Sequence, residues 1–187
     1  MHITAPDEAI AAALHLINGA RTRCGTTKVV AVDGPSGAGK TDFATALAGQ
    51  LPSAQLLHMD DLYPGWSGLA QAVTDLHDQI LDPLARGEHA AYRRWDWERD
   101  QYAEWHSLPA TELLLVEGVG SGAQPGWRLE SALIWLEADR DERFRRGIAR
   151  DGETYLPHWQ RWAAREEALF AVDGTRERAD LIINTSP

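Results

Sequence analysis

Gly34-Pro35-Ser36-Gly37-Ala38-Gly39-Lys40-Thr41 fits the phosphate-binding pattern G-x-x-x-x-G-K-[ST] at every defined position. Its flanks fit too. Val29, Val30, Ala31 and Val32 make an apolar run that reads as a buried strand, and Phe43, Ala46, Leu47 and Leu51 then recur at helical spacing. Strand, glycine-rich loop and helix are the setting this pattern needs. The glycines let backbone N–H groups turn toward phosphate oxygens, and the helix N-terminus adds partial positive charge. In such a loop Lys40 reaches the β- and γ-phosphates and Thr41 holds Mg²⁺. Gly34 through Thr41, with Asp42 in the first helical turn, are therefore the expected contacts of a nucleoside triphosphate. The guanine-selecting pattern N-K-x-D is absent from the sequence, which makes ATP the expected donor.

At 187 residues the chain is long enough for one domain with a real core, expected to span 1–187. No apolar run approaches the ~18 residues of a membrane helix. The first residues show no basic stretch followed by an apolar one, so no secretion signal is expected. Cys24 is the only cysteine and cannot form an internal disulfide. A cytoplasmic location, with no membrane partner, is the default expectation. The net charge of −10 argues against a nucleic-acid partner, which calls for a basic face. It does not argue against a phosphate ligand, for which a few local cations suffice. Lys28 and Lys40 are the only lysines, and five arginines crowd between Arg140 and Arg150.

Ile10, Leu14 and Ile17 predict an amphipathic helix ahead of the first strand, ending near Asn18-Gly19. Further strands are expected at Gln55–Asp60, Glu112–Glu117, Ala132–Glu137 and Ala179–Asn184. Leu69, Val73, Leu76, Ile80 and Leu84 predict one helix, and two more are expected at about 139–150 and 155–171. Short apolar strands alternating with helices imply a three-layer α/β fold with a five-stranded parallel sheet. His89 to His106 mixes aromatics and charges, which suggests a small hairpin or flap over about 88–108. His58 falls inside a strand pattern and reads as a packed core histidine. Trp135, Trp159 and Trp162 read as scaffold, the last two sharing a helical face with Glu166.

Ligands of a parallel α/β sheet gather at the carboxyl ends of its strands. Asp60, Asp61 and Glu117 stand at such ends. Glu117 suits a metal-holding role beside Thr41. Asp60 suits a base for an acceptor hydroxyl, with possible metal contact, because a carboxylate needs only hydrogen-bond reach of that hydroxyl. Asp61 caps the next turn or joins the metal. Arg143, Arg146 and Arg150 lie three and four residues apart and so share a helical face, where forked guanidinium groups match phosphate oxygens.

These pieces together resemble the uridine kinase family, within the wider P-loop small-molecule kinases. The resemblance is carried by Asp33 to Thr41, by Met59-Asp60-Asp61-Leu62-Tyr63, by Val116-Glu117-Gly118, by the arginine-bearing stretch from Arg143 to Asp151, and by Ala179-Asp180-Leu181-Ile182-Ile183. It implies ATP and Mg²⁺ as cofactors and a small-molecule hydroxyl as acceptor. It also implies Asp60 as the acceptor-side base, Tyr63 near the acceptor, and Glu117 in the metal site. A short lid over about 143–155 would bring Arg146 and Arg150 to the transferring phosphate. Uridine kinases often assemble, so a homo-oligomer is compatible with the resemblance, although no interface is visible in the sequence.

The acceptor side departs from the family. The usual H-P-D-A-F-D loop is replaced by Pro64-Gly65-Trp66-Ser67-Gly68-Leu69, and the flap carries Arg94-Trp95-Asp96-Trp97 without the base-reading histidine. Trp66, Trp95, Trp97 and Trp105 fall in the region expected to cover the acceptor; Trp66, Arg94, Asp96 and Trp97 are its expected contacts. Two other readings stay open. A nucleotide kinase would need further cations around its acceptor, such as Arg93, Arg94 and Arg99. A nucleotide-binding regulatory protein would hydrolyse ATP slowly, without any acceptor.

Overall fold

The apolar runs become strands in the computed structural model, which describes residues 2–3, 6–152 and 156–187. The five expected strands are β2 (Lys28–Asp33), β3 (Ala54–His58), β6 (Leu113–Glu117), β7 (Ala132–Glu137) and β8 (Leu181–Asn184). A two-residue strand, β1 (His2–Ile3), extends the sheet at the β8 edge. The spatial order is β1-β8-β7-β2-β6-β3, and every pairing is parallel. The P-loop strand β2 thus lies inside the sheet, flanked by β6 and β7.

Both faces are covered, as a parallel sheet of apolar strands requires. Alternate residues of β2 and β6 point opposite ways. Val30, Val32, Leu113 and Leu115 pack against helices α1 (Pro6–Gly19) and α2 (Lys40–Gly49). Val29, Leu114 and Val116 face the other layer, which contains α3 (Leu69–Asp75), α4 (Asp82–Ala85) and part of α6 (Leu156–Asp173). In α1 the fully buried positions are Ala9, Ala13 and Ile17, with Ile10 and Leu14 packed at their margin.

The helix expected from Leu69 to Leu84 is not uniform. Between α3 and α4 the chain widens into a π-turn over Leu76–Leu81, where the Asp82 N–H reaches the His77 carbonyl. Pro83 follows; it has no N–H and crowds the carbonyl four residues back, and a wider turn relieves that crowding. The flap is an antiparallel hairpin, β4 (Ala90–Asp96) and β5 (Gln101–Leu108), with a bulge between Arg93 and Trp95. Helix α5 (Arg140–Asp151) follows β7, and α7 (Thr175–Arg178) precedes β8. Residues 153–155 of the expected lid lie outside the described residues. Among the described residues, no helix is long and apolar enough to cross a membrane.

Candidate functional site

Register brings the chemistry together. His58 and Val32 both pair with Glu117, so the ends of β3, β6 and β2 finish level. The P-loop leaves β2, Glu117 closes β6, and Asp60 sits one turn beyond β3. A cavity of about 1130 Å³ opens at these three tips. Ser36, Gly37, Gly39, Lys40, Thr41 and Asp42 line one side, and Asp60, Glu117, Arg146 and Arg150 line it nearby. Six of the expected nucleotide contacts therefore face one space.

The remaining three expected contacts within the loop hold it instead. Gly34 donates its N–H to Asp33 Oδ1 at 2.6 Å, Pro35 accepts from Lys40 Nζ at 3.0 Å, and Ala38 accepts from Thr185 Oγ1 at 3.0 Å. Asp33 is fully buried and also takes the N–H groups of Gly120 and Gly122, both at 2.9 Å, which ties the P-loop to the loop after β6. Burial pushes the Asp33 carboxyl up to about 6 against the opposing pull of those three amides. Gly37 has φ +79°, and the α5 backbone approaches so closely that a Cβ there would lie 2.4 Å from the Arg143 carbonyl oxygen.

Helix α6 grips the same loop from 130 residues away. The Ser36 N–H donates to Glu166 Oε2 at 3.0 Å, and Trp162 Nε1 donates to Ser36 Oγ at 2.8 Å. Arg143 completes the clasp, donating to the Ser36 carbonyl at 3.2 Å and to Glu166 Oε1 at 3.3 Å. Arg143, expected at the triphosphate, is thus turned to the back of the P-loop because a buried carboxylate waits there. Trp162, expected in the scaffold, lines the cavity. A charged residue on an otherwise apolar helical stripe was the signal that marked Glu166.

Lys40 is 7% exposed, and burial pulls its pKa below the usual lysine range while Glu117, Glu166, Asp33 and Asp60 resist that pull. Thr41 Oγ1 donates to Glu117 Oε1 at 3.1 Å. The same oxygen lies 2.6 Å from His58 Nδ1, and this bond raises the His58 pKa. His58 is therefore no core residue: its side chain is 38% exposed, because the sheet ends where the strand pattern suggests that it continues. Among the described residues, no three His, Cys, Asp or Glu side chains cluster as a metal cage. Thr41 and Glu117 are nevertheless hard oxygen donors beside a phosphate loop. That set fits Mg²⁺, which takes one or two protein ligands and completes its shell with phosphate and water.

Asp60 opens into the cavity but is surrounded by enough protein that desolvation, and then the charge of Glu117, raise its pKa; Arg150, Lys40 and His58 oppose. Asp61 points elsewhere, toward the Tyr92 hydroxyl at 3.5 Å. The backbone between Glu117 and Asp60 is packed without slack. Gly118 has φ +135°, and a Cβ there would meet Met59 Cβ at 2.5 Å. Arg146 reaches the Gly37 carbonyl at 3.4 Å and both Thr185 oxygens, while Glu142 accepts from its Nε at 2.7 Å.

The expected acceptor contacts divide. Tyr63, Trp66 and Trp97 line the cavity. Tyr63 contributes only its ring, since its hydroxyl is buried and donates to the Val119 carbonyl at 2.8 Å. Trp97 Nε1 donates to the Asp60 carbonyl at 2.9 Å. Arg94 and Asp96 are not brought to the cavity. Cross-strand register sets Arg94 against Glu104 at 2.7 Å, and Asp96 closes the hairpin turn by accepting the N–H groups of Glu98 and Arg99.

No protein-family model matches the chain, and no curated protein matches it in sequence. Solved structures do match in shape. A structure described as a possible uridine kinase from Bacillus stearothermophilus superposes with a TM-score of 0.70 at 21% identity, covering 95% of this chain and 98% of that one. D-glycerate 3-kinase from Cryptococcus neoformans superposes with a TM-score of 0.55 at 10% identity, covering 96% and 95%. At these identities the likeness shows a shared fold, the α/β fold of P-loop kinases.

Proposed function

We propose that the protein transfers the terminal phosphoryl group of ATP to a hydroxyl of a small molecule, forming a phosphate monoester and ADP. The observation that supports this most directly is the convergence of Lys40, Thr41, Glu117 and Asp60 on one cavity that Arg146 and Arg150 also line. The P-loop amides and Lys40 hold the phosphates. Thr41 and Glu117 would hold Mg²⁺, which when bound would offset the charge of the phosphates. Asp60 takes the proton of the attacking hydroxyl as its oxygen bonds to phosphorus. Arg146 and Arg150 counter the charge that builds on the transferred group. The rings of Trp66 and Trp97 wall the same cavity.

A nucleotide acceptor finds less support. It calls for cations at the far end of the cavity, and Arg93, Arg94 and Arg99 are directed into the hairpin instead. The test is ADP release with Mg·ATP across a panel of nucleosides, sugars, amino alcohols and vitamin alcohols. At least one hydroxyl compound should stimulate release well above the rate in water. Release that no acceptor stimulates would remove the kinase reading and leave a slow nucleotide hydrolase.

A further inference from the structure

The end of the cavity away from the P-loop is walled by rings. The Trp66 ring stacks on His158, 4.7 Å between centroids and 2° between planes, and meets Trp97 and Trp162 edge to face at 5.3 and 6.0 Å. Trp162 in turn meets Tyr63 at 5.0 Å. Rings that only filled a small core would be sealed from solvent. Trp97 is instead 38% exposed and borders the cavity beside the exposed carboxylate of Glu98.

Charges of both signs meet at the phosphate end, whereas the hairpin adds only Glu98 to the lining. The lining cations Lys40, Arg146 and Arg150 all come from the P-loop helix and α5. Asp42 stands beside those cations, Asp60 and Glu117 stand at the strand tips, and Glu98 alone comes from the hairpin. Nearby arginines are turned away. Arg94 pairs with Glu104, Arg99 lies 3.6 Å from Asp96, Arg93 lies over Tyr102, and Arg165 donates to the Trp66 carbonyl at 2.6 Å. An anionic body placed among the rings would therefore face Glu98 with no cation from the hairpin to offset it. A cationic one would meet aromatic faces and Glu98 together. Tryptophan is the best of the aromatic partners for a cation.

We infer that the ring-walled end is a cage for a hydroxylated organic cation, a quaternary ammonium or heteroaromatic alcohol, with Trp66, Trp97 and Glu98 selecting the positive charge. This rests on the proposed phosphotransfer only for calling that end the acceptor's. Calorimetry with the full chain and Mg·ADP compares choline with its uncharged isostere, in which carbon replaces the quaternary nitrogen, and with glycerate. Choline should bind roughly tenfold more tightly than the isostere, and glycerate more weakly than either. Glu98→Gln should remove most of that preference without changing affinity for the isostere. Trp97→Leu should weaken choline about tenfold, with Trp97→Tyr restoring most of it. If Trp97→Leu does not fold, the exposed Glu98 still decides the matter. Isostere or glycerate binding as tightly as choline, or a preference indifferent to Glu98→Gln, overturns the cage. ADP release is followed separately. Choline binding without ADP release removes the phosphotransfer and supports the cage. ADP release driven only by neutral or anionic alcohols keeps the phosphotransfer and overturns the cage.

Discussion

The two ends of the cavity are built from different materials. At the phosphate end the binding surface is one local stretch: Ser36, Gly37, Gly39, Lys40, Thr41 and Asp42 line it, and the rest of the loop holds them in place. At the ring end it is entirely side chain: Tyr63, Trp66, Trp97, Glu98 and Trp162 come from three separate stretches of chain. A local site needs its own stretch of sequence and a frame to press against. A side-chain site needs several distant segments to arrive together, and each residue is free to be satisfied elsewhere, as Arg94 is by Glu104. The first kind therefore repeats across proteins while the second diverges.

The sharpest test of that division is Asp60→Asn, which should lower kcat by roughly a thousandfold while the Mg·ATP dissociation constant moves by less than about threefold. Comparable losses in both, by steady-state kinetics and nucleotide titration, would show that the two ends are not separable. Next in size is the clasp on Ser36. Glu166→Gln removes a buried charged acceptor and leaves Arg143 short of a partner, so Mg·ATP binding should weaken by about tenfold. Unchanged affinity by calorimetry would mean that the loop holds its shape alone.

A smaller, pH-dependent effect follows from Asp33. Its carboxyl lies near 3.8 when unfolded and at about 6 in the folded chain. The folded state therefore binds the proton more tightly, so the contribution of this group to stability is full below the lower value and lost as pH rises to the higher one. Compared with Asp33→Asn, the native chain should lose about 3 kcal/mol between those limits, measured by urea unfolding at stepped pH. No relative slope would remove the desolvation argument. The smallest effect belongs to Arg94→Ala. It breaks a solvent-screened surface pair and should leave kcat/KM within about twofold; a large loss would return Arg94 to the acceptor site.

Legibility followed the same boundary. The P-loop, Glu117 at the end of β6 and Asp60 beyond β3 could be read because each is marked by a nearby period or turn. So could all five main strands, whose apolar runs stand between glycine, proline or charge. What escaped was set by long-range contact. His58 looked buried because strand periodicity says nothing of where pairing stops. Trp162 looked like scaffold, and Glu166 stood out only as a charge on its face, because nothing near them in sequence mentions Ser36. Arg94 and Asp96 looked available because hairpin register decides which partners stand opposite. The π-turn before Pro83 escaped because apolar spacing is nearly the same in both helical forms.

Gly118 carries one more implication. The proposed metal-holding acid and the proposed base occupy neighbouring strand tips, and what sets the gap between them is the hydrogen where Gly118 would otherwise bear a methyl group against Met59. The bite of these jaws is thus gauged by an omission, and the smallest possible side chain would pry them open. Any side chain at Gly118 would therefore disturb both acids at once, whatever molecule lies among the rings behind them.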